Sequence, residues 1–203
     1  MINKMFQEEF MYKNLLILGP SRCGKSTLAK LICEQYDCNS VNLNNIQEIF
    51  EKTFPNTEDY NKYLKQFMIN YIEQLTDYKT FYSGRKTIIE CNVPFIEDII
   101  NNVNQDNTAI IGITYDNIDI DYFAQKIKYS DNSDYLQFLS PDGLKSRLQE
   151  FVEESKEMNN IFNKLDINTY DVSNNRDEVF KEVLDDVEEL TKYGGAYKIK
   201  KRN

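Results

Sequence analysis

The stretch Leu15-Leu-Ile-Leu-Gly19-Pro-Ser-Arg-Cys-Gly24-Lys-Ser-Thr27-Leu-Ala-Lys-Leu-Ile32 decides how the chain folds. Its centre, Gly19-Pro20-Ser21-Arg22-Cys23-Gly24-Lys25-Ser26, follows the pattern G-x-x-x-x-G-K-[ST]. In that pattern a loop of backbone N–H groups surrounds a β-phosphate, a lysine ammonium meets the β and γ oxygens, and a hydroxyl faces Mg²⁺. The flanks agree with it. Leu15 to Leu18 has the length and apolar content of a buried parallel strand, and Leu28, Leu31 and Ile32 give the segment that follows a helical face. An anion held by the loop therefore sits at a helix N-terminus, where backbone N–H groups and the helix dipole favour negative charge.

Outward from this stretch, four more apolar or β-branched runs recur: Ser40 to Leu43, Thr87 to Glu90, Thr108 to Thr114 and Ile167 to Val172. Helical patterns separate them. Tyr60, Leu64, Phe67, Tyr71 and Leu75 recur at three to four residues; Leu144, Leu148, Phe151, Val152 and Ser155 do the same after the helix start Ser140-Pro141. A last helix with Val179, Val183, Val187 and Leu190 on one face lies between Asn174-Asn175 and Gly194-Gly195. Strands alternating with helices predict an α/β fold with a five-stranded parallel sheet between two helical layers. The polar, charge-rich stretch 116–141, with Lys126 and Lys128, occupies the place of a helical lid over a transferred phosphate; a solvated pair of short helices is the alternative. One domain, 13–193, is expected, followed by a basic tail, 194–203.

Composition narrows the chemistry. A length of 203 residues suits one α/β domain. The net charge of −9 argues against nucleic acid as a partner, since neutralising its phosphates needs an excess of Lys and Arg on one face. A nucleotide site must then be a local positive island, for which Arg22, Lys25, Lys30 and Arg85 are candidates. The absence of histidine excludes a His base, a Ser-His-Asp relay and His metal ligands. Cys23, Cys33, Cys38 and Cys91 lack C-x-x-C spacing, which predicts neither a zinc site nor a disulfide framework and fits a reducing cytoplasm. The first residues lack the apolar core of a signal peptide and no segment reaches the length of a membrane span, so a cytoplasmic protein without membrane contact is expected.

With Gly19 to Thr27 as its specific part, and strand and helix order from about Lys13 to Leu190 as the rest, the chain resembles the P-loop kinases that phosphorylate nucleosides, nucleotides and other small metabolites. The resemblance implies a three-layer P-loop NTPase fold, ATP as donor, Mg²⁺ as cofactor, and a small acceptor held across the top of the strands. Residue by residue it implies that Lys25 reaches the β and γ phosphates, Ser26 ligates Mg²⁺ and Thr27 bonds an α-phosphate oxygen. Gly19 and Gly24 admit close backbone approach, and Pro20, Ser21, Arg22 and Cys23 complete the nucleotide-binding loop. Arg22 adds charge near the γ-phosphate or faces solvent. Cys23 makes the loop sensitive to oxidation or is merely a small residue that fits. Arg176, in the loop after the fifth strand, flanks the adenine or simply starts a helix in solvent.

Glu90, at the end of Lys86-Thr-Ile-Ile-Glu90, stands where a carboxylate orders Mg²⁺ or contacts the acceptor, unless it only caps the turn before Pro94. The chain departs from the resemblance at Ser40-Val-Asn-Leu-Asn44-Asn-Ile-Gln47, where such kinases often carry an aspartate. Asparagine cannot act as a base, and Asn44-x-x-Gln47 also reads as a helix cap. Glu90 or Glu48 then takes over, or transfer relies on positioning and charge neutralisation, or the protein binds nucleotide as a regulatory sensor without transferring phosphate. Asn163-Lys-Leu-Asp166 spells a guanine-reading motif, but a helical pattern leads into it, and no glycine has an aspartate three residues before it. The acceptor is left open; residues 44–82, rich in Tyr, Phe, Asn and Gln, are expected to read it.

Overall fold

The structure is a computed structural model that describes residues 14–36, 38–55, 58–76, 87–92, 95–129 and 135–192. Arg85, the tail 194–203 and the middle of the 116–141 stretch lie outside the described residues. Five strands form one sheet: β1 (Asn14–Leu18), β2 (Asn39–Asn42), β3 (Thr87–Cys91), β4 (Thr108–Thr114) and β5 (Asn168–Asp171), in the order β2-β3-β1-β4-β5, every pair parallel. They coincide within a residue or two with the five apolar runs. The helices are α1 (Lys25–Tyr36), α2 (Leu43–Thr53), α3 (Tyr60–Thr76), α4 (Ile96–Asn102), α5 (Ile120–Lys128), α6 (Pro141–Lys164) and α7 (Arg176–Lys192).

β1 lies in the middle of the sheet and is buried along its whole length, which is why Leu15 to Leu18 reads as unbroken apolar sequence rather than as an alternation. Successive side chains still go to opposite faces. Leu15, Ile17 and Ile88 join one core with Leu28, Ala29 and Ile32 of α1 and Phe180, Val183 and Val187 of α7. Leu16, Leu18 and Ile89 join the other, with Leu43 and Phe50 of α2, Met68 and Ile72 of α3, and Ile99 of α4. The result is the expected three-layer α/β architecture. The long α6 serves both cores: Leu144, Leu148 and Phe151 pack in the first, Met158 and Phe162 in the second. Gly112 in β4 makes room for it, because a Cβ there would lie 2.6 Å from the Phe162 ring.

The helix start at Ser140-Pro141 is as read, with Ser140 Oγ accepting from the Gly143 N–H at 3.2 Å. Two local readings need correction. The cap of α2 is Asn42, not Asn44: Asn42 Oδ1 accepts the Asn44 N–H at 2.9 Å, because the strand already ends at Asn42. On α3 the buried stripe runs Leu64, Met68, Ile72 and Leu75, whereas Phe67 is 41% exposed and stacks on Tyr71. Aromatic content drew the helical face to one side of its true position. In the stretch 116–141, α5 and a 3₁₀ turn, Tyr135–Phe138, supply the helical segment.

Candidate functional site

The loop between β1 and α1 takes backbone shapes that side chains rarely adopt. Arg22 has φ 68° and Gly24 φ 96°. Holding a non-glycine residue such as Arg22 in the left-handed region costs about 1 kcal/mol or more, which the surrounding bonds must offset. A Cβ on Gly19 would come within 2.4 Å of the Ile113 carbonyl oxygen, and one on Gly24 within 2.8 Å of the Phe180 ring. Both glycines are therefore required by the fold around the loop, in addition to any approach of a phosphate.

Lys25 opens α1 but its side chain turns back under the loop. Its Nζ donates to the carbonyl oxygens of Gly19 at 2.9 Å and Pro20 at 2.6 Å, and the residue is only 8% exposed. A positive charge thus sits in the cradle, at a helix start whose first turn carries no acid. Ser26 and Thr27 follow on the exposed side of the same turn. The Cys23 side chain points the other way, into the core beneath the loop, 3.7 Å from Lys25 Nζ. Burial pushes its thiol up from the ordinary range, more than the nearby Lys25 pulls it down. The oxidation-sensitive reading of Cys23 loses its basis, because reactivity requires thiolate and access.

Glu90 is not a turn cap. It sits within β3, 4% exposed, beside Ile17 of β1 and Asn42 of β2. The two-residue alternation puts it on the same face as Ile88 and α1, which is why it meets the first turn of that helix. Its carboxylate accepts from Ser26 Oγ at 2.5 Å, Ser40 Oγ at 3.2 Å and Asn42 Nδ2 at 3.3 Å. Glu90 and Ser26, assigned from separate parts of the sequence, are thus in direct contact. Such a pair of hard oxygen donors fits Mg²⁺, which takes few protein ligands and completes its shell with water and phosphate oxygens. No group of three or more acidic or Cys side chains that could enclose a metal occurs among the described residues.

The loop is tied from both neighbouring strands. Asn92, just past β3, donates through Nδ2 to Ser21 Oγ at 3.0 Å, and its N–H donates to Asn44 Oδ1 at 3.2 Å. On the other side, the Tyr115 hydroxyl, just past β4, donates to the Ser21 carbonyl. The Tyr115 N–H in turn donates to Ser155 Oγ of α6 at 2.8 Å, and Ser155 Oγ donates to Asp116 at 2.9 Å. Ser40, Asn42, Asn92 and Tyr115 were missed from sequence. Asn42, Asn92 and Tyr115 share a positional signal, each lying at or just beyond the carboxyl end of a parallel strand, the edge where such sheets bind ligands, whereas Ser40 lies within β2.

Arg176 begins α7 beside the loop, with its Cδ 3.3 Å from where a Gly24 Cβ would be and its guanidinium 5.8 Å from the Phe180 ring centre. Arg22 is exposed. Lys30 and Glu48 are exposed and pair along their own helices, Lys30 with Glu34 at 3.7 Å and Glu48 with Lys52 at 3.6 Å. Lys126 lies over the Tyr122 ring at 4.8 Å. Asn163 and Lys164 are the last two residues of α6, so the guanine-like motif has no strand before it.

No protein-family model matches the chain, and no curated protein sequence does. Solved structures match its fold. A shikimate kinase from Acinetobacter baumannii in complex with shikimate has a TM-score of 0.53 at 12% identity, over 89% of this chain and 93% of that one. A gluconokinase from Sinorhizobium meliloti 1021 gives 0.52 at 14%, over 90% and 94%. An unliganded sugar kinase from Janibacter sp. HTCC2649 gives 0.51 at 11%, over 92% and 99%. At these identities the likeness is one of fold. No helix among the described residues is long and apolar enough to cross a membrane.

Proposed function

We propose that the protein is an ATP-dependent kinase that transfers the γ-phosphate of ATP to a small hydroxyl- or phosphate-bearing acceptor. The observation that carries this reading is the contact between Ser26 and the buried Glu90 at the mouth of the loop whose carbonyls hold Lys25. The fold shared with sugar and shikimate kinases supports it.

In this reading the loop amides and the start of α1 hold the phosphates, and the Lys25 ammonium leaves the Gly19 and Pro20 carbonyls for phosphate oxygens as the nucleotide enters. Ser26 and Glu90 would hold Mg²⁺, which would supply positive charge to offset the charge that develops in transfer. Ser40 and Asn42 keep the Glu90 carboxylate in one orientation. Lys25 and Arg22 neutralise the charge on the transferred group, which is most of what phosphoryl transfer asks of a protein. Arg176 borders the nucleotide from the α7 side.

A second reading, a nucleotide sensor that transfers nothing, is favoured by one observation. Asn42 at the end of β2 and Asn44 in the first turn of α2 carry amides that cannot take a proton from an acceptor. Labelled ATP offered with sugars, hydroxy acids and nucleosides separates the two readings. The kinase reading expects transfer to one acceptor class, lowered about a hundredfold or more in Glu90→Gln while nucleotide affinity stays within a few-fold. Tight ATP binding, with no transfer and with hydrolysis no faster than in Glu90→Gln, leaves the sensor.

A further inference from the structure

α1 ends at Tyr36 and β2 begins at Asn39; Cys33 lies in the last part of α1 and Cys38 directly before β2. Their Sγ atoms are 2.8 Å apart. A disulfide bond is about 2.05 Å long, so less than about 1 Å of approach separates the two sulfurs from bonding distance. Both residues are only partly buried. Cys23 and Cys91, at 1% and 0% exposure, are closed to a reagent. C-x₄-C spacing carries no motif meaning by itself; the end of a helix folding directly into a strand is what brings this pair together.

We propose that Cys33 and Cys38 form a dithiol–disulfide couple that exchanges with small-molecule disulfides of the glutathione type. One of the two thiolates attacks a sulfur of oxidised glutathione, forming a mixed disulfide and releasing one glutathione thiolate. The second cysteine thiolate attacks the protein sulfur of that mixed disulfide, forming the Cys33–Cys38 bond and releasing the second glutathione. The two cysteines together lose two protons and two electrons; the electrons reduce the glutathione disulfide, and the protons pass to the released thiolates. A reducing compartment reverses the exchange, so the bond reports oxidation and is not a permanent staple.

The position of the pair gives the bond a consequence, which rests on the reading of Glu90 as the metal-side carboxylate. Ser40 lies two residues beyond Cys38 and Asn42 four, and both donate to Glu90. Lys25 lies eight residues before Cys33, about 12 Å along α1. Closing the bond therefore pulls on the supports of Glu90 before it reaches the phosphate cradle, and Mg²⁺-dependent nucleotide binding should change several-fold more than metal-free binding.

The test treats the folded full-length protein with oxidised glutathione, quenches it, unfolds and alkylates it, and follows tryptic peptide 31–52, which contains both cysteines. The expected peptide is lighter by two hydrogens and carries neither alkyl group nor glutathione, while Cys23 and Cys91 are alkylated; thiol reductant reverses the change. Cys38→Ser should instead trap glutathione on Cys33. A wild-type peptide that takes two alkyl groups, stops at mixed disulfides, or links to Cys23 or Cys91 overturns the proposal. These readouts follow sulfur alone, so they stand apart from the nucleotide reading. Equal effects of oxidation on binding with and without Mg²⁺ would remove only its link to Glu90.

Discussion

The loop around β1 and the surface of α2 and α3 are built on opposite plans. At the loop, polar groups engage one another in defined bonds: Lys25 with two carbonyls, Ser26 with Glu90, Ser21 with Asn92 and Tyr115. Along α2 and α3, apolar and aromatic groups face outward instead. Ile49 is 59% exposed and Tyr63 53%, and the exposed Phe54 and Phe67 rings meet the buried Phe50, with Phe67 also stacked on Tyr71, at 5.0–6.2 Å. In the kinase reading proposed above, the difference follows from the ligand each region would meet. A phosphate chain has one shape and one charge, and a backbone loop with its lysine answers it in a single way. An organic acceptor has no such fixed demand, so residues proposed to face it need obey no short pattern.

This contrast predicts unequal sensitivity. The largest effect is expected from Gly19→Ala, whose Cβ would sit 2.4 Å from a backbone carbonyl that cannot move alone. It should lose about 3 kcal/mol of stability or more in urea unfolding, and a loss under about 1 kcal/mol would show the loop to be looser than described. Next, Ser26→Ala should weaken nucleotide binding about tenfold or more with Mg²⁺ present and little in its absence, as titrations under both conditions would read. Equal losses would take Ser26 out of the metal shell.

Tyr115→Phe should be milder. Removing its hydrogen bond to the Ser21 carbonyl should cost about 1 kcal/mol. Burial raises the Tyr115 hydroxyl well above its ordinary range. The folded state therefore keeps the proton that the unfolded chain releases above roughly pH 10, and stability falls as pH rises past that point. The Phe variant should lose less stability there than wild type in unfolding runs at pH 9 and 11. The smallest effect is expected from Phe67→Ala, half in solvent: below about 1 kcal/mol of stability and no change in ATP affinity. A clear loss of ATP binding in that variant would erase the division between the two regions.

How much of this was legible in the sequence follows the same division. Leu15 to Thr27 reads as strand, tight loop and helix because each feature is local in the chain. The other strands showed through because parallel strands buried on both faces must be apolar. Glu90 was legible as an acid ending a β-branched run, but its bond to Ser26 spans 64 residues and depended on sheet order. Ser40, Asn42, Asn92 and Tyr115 were hidden for that reason: a lone polar residue gains meaning only when β3 and β4 are known to flank β1. The α2 cap was misplaced by two residues because Asn42, Asn44 and Asn45 are equally good caps until the end of the strand selects one.

The central claim, that residues Gly19 to Thr27 hold the phosphates of a nucleotide, is tested most directly by calorimetric titration of wild type and Lys25→Met with ATP and Mg²⁺. The methionine keeps the length of the buried side chain and removes its charge. Saturable binding at one site is expected for wild type, and at a hundredfold excess over Kd it should add about 2.7 kcal/mol to the stability of the folded chain. Lys25→Met should remain folded and bind at least tenfold more weakly. Wild type that takes up no ATP, or a variant that binds it as well as wild type does, would contradict the assignment.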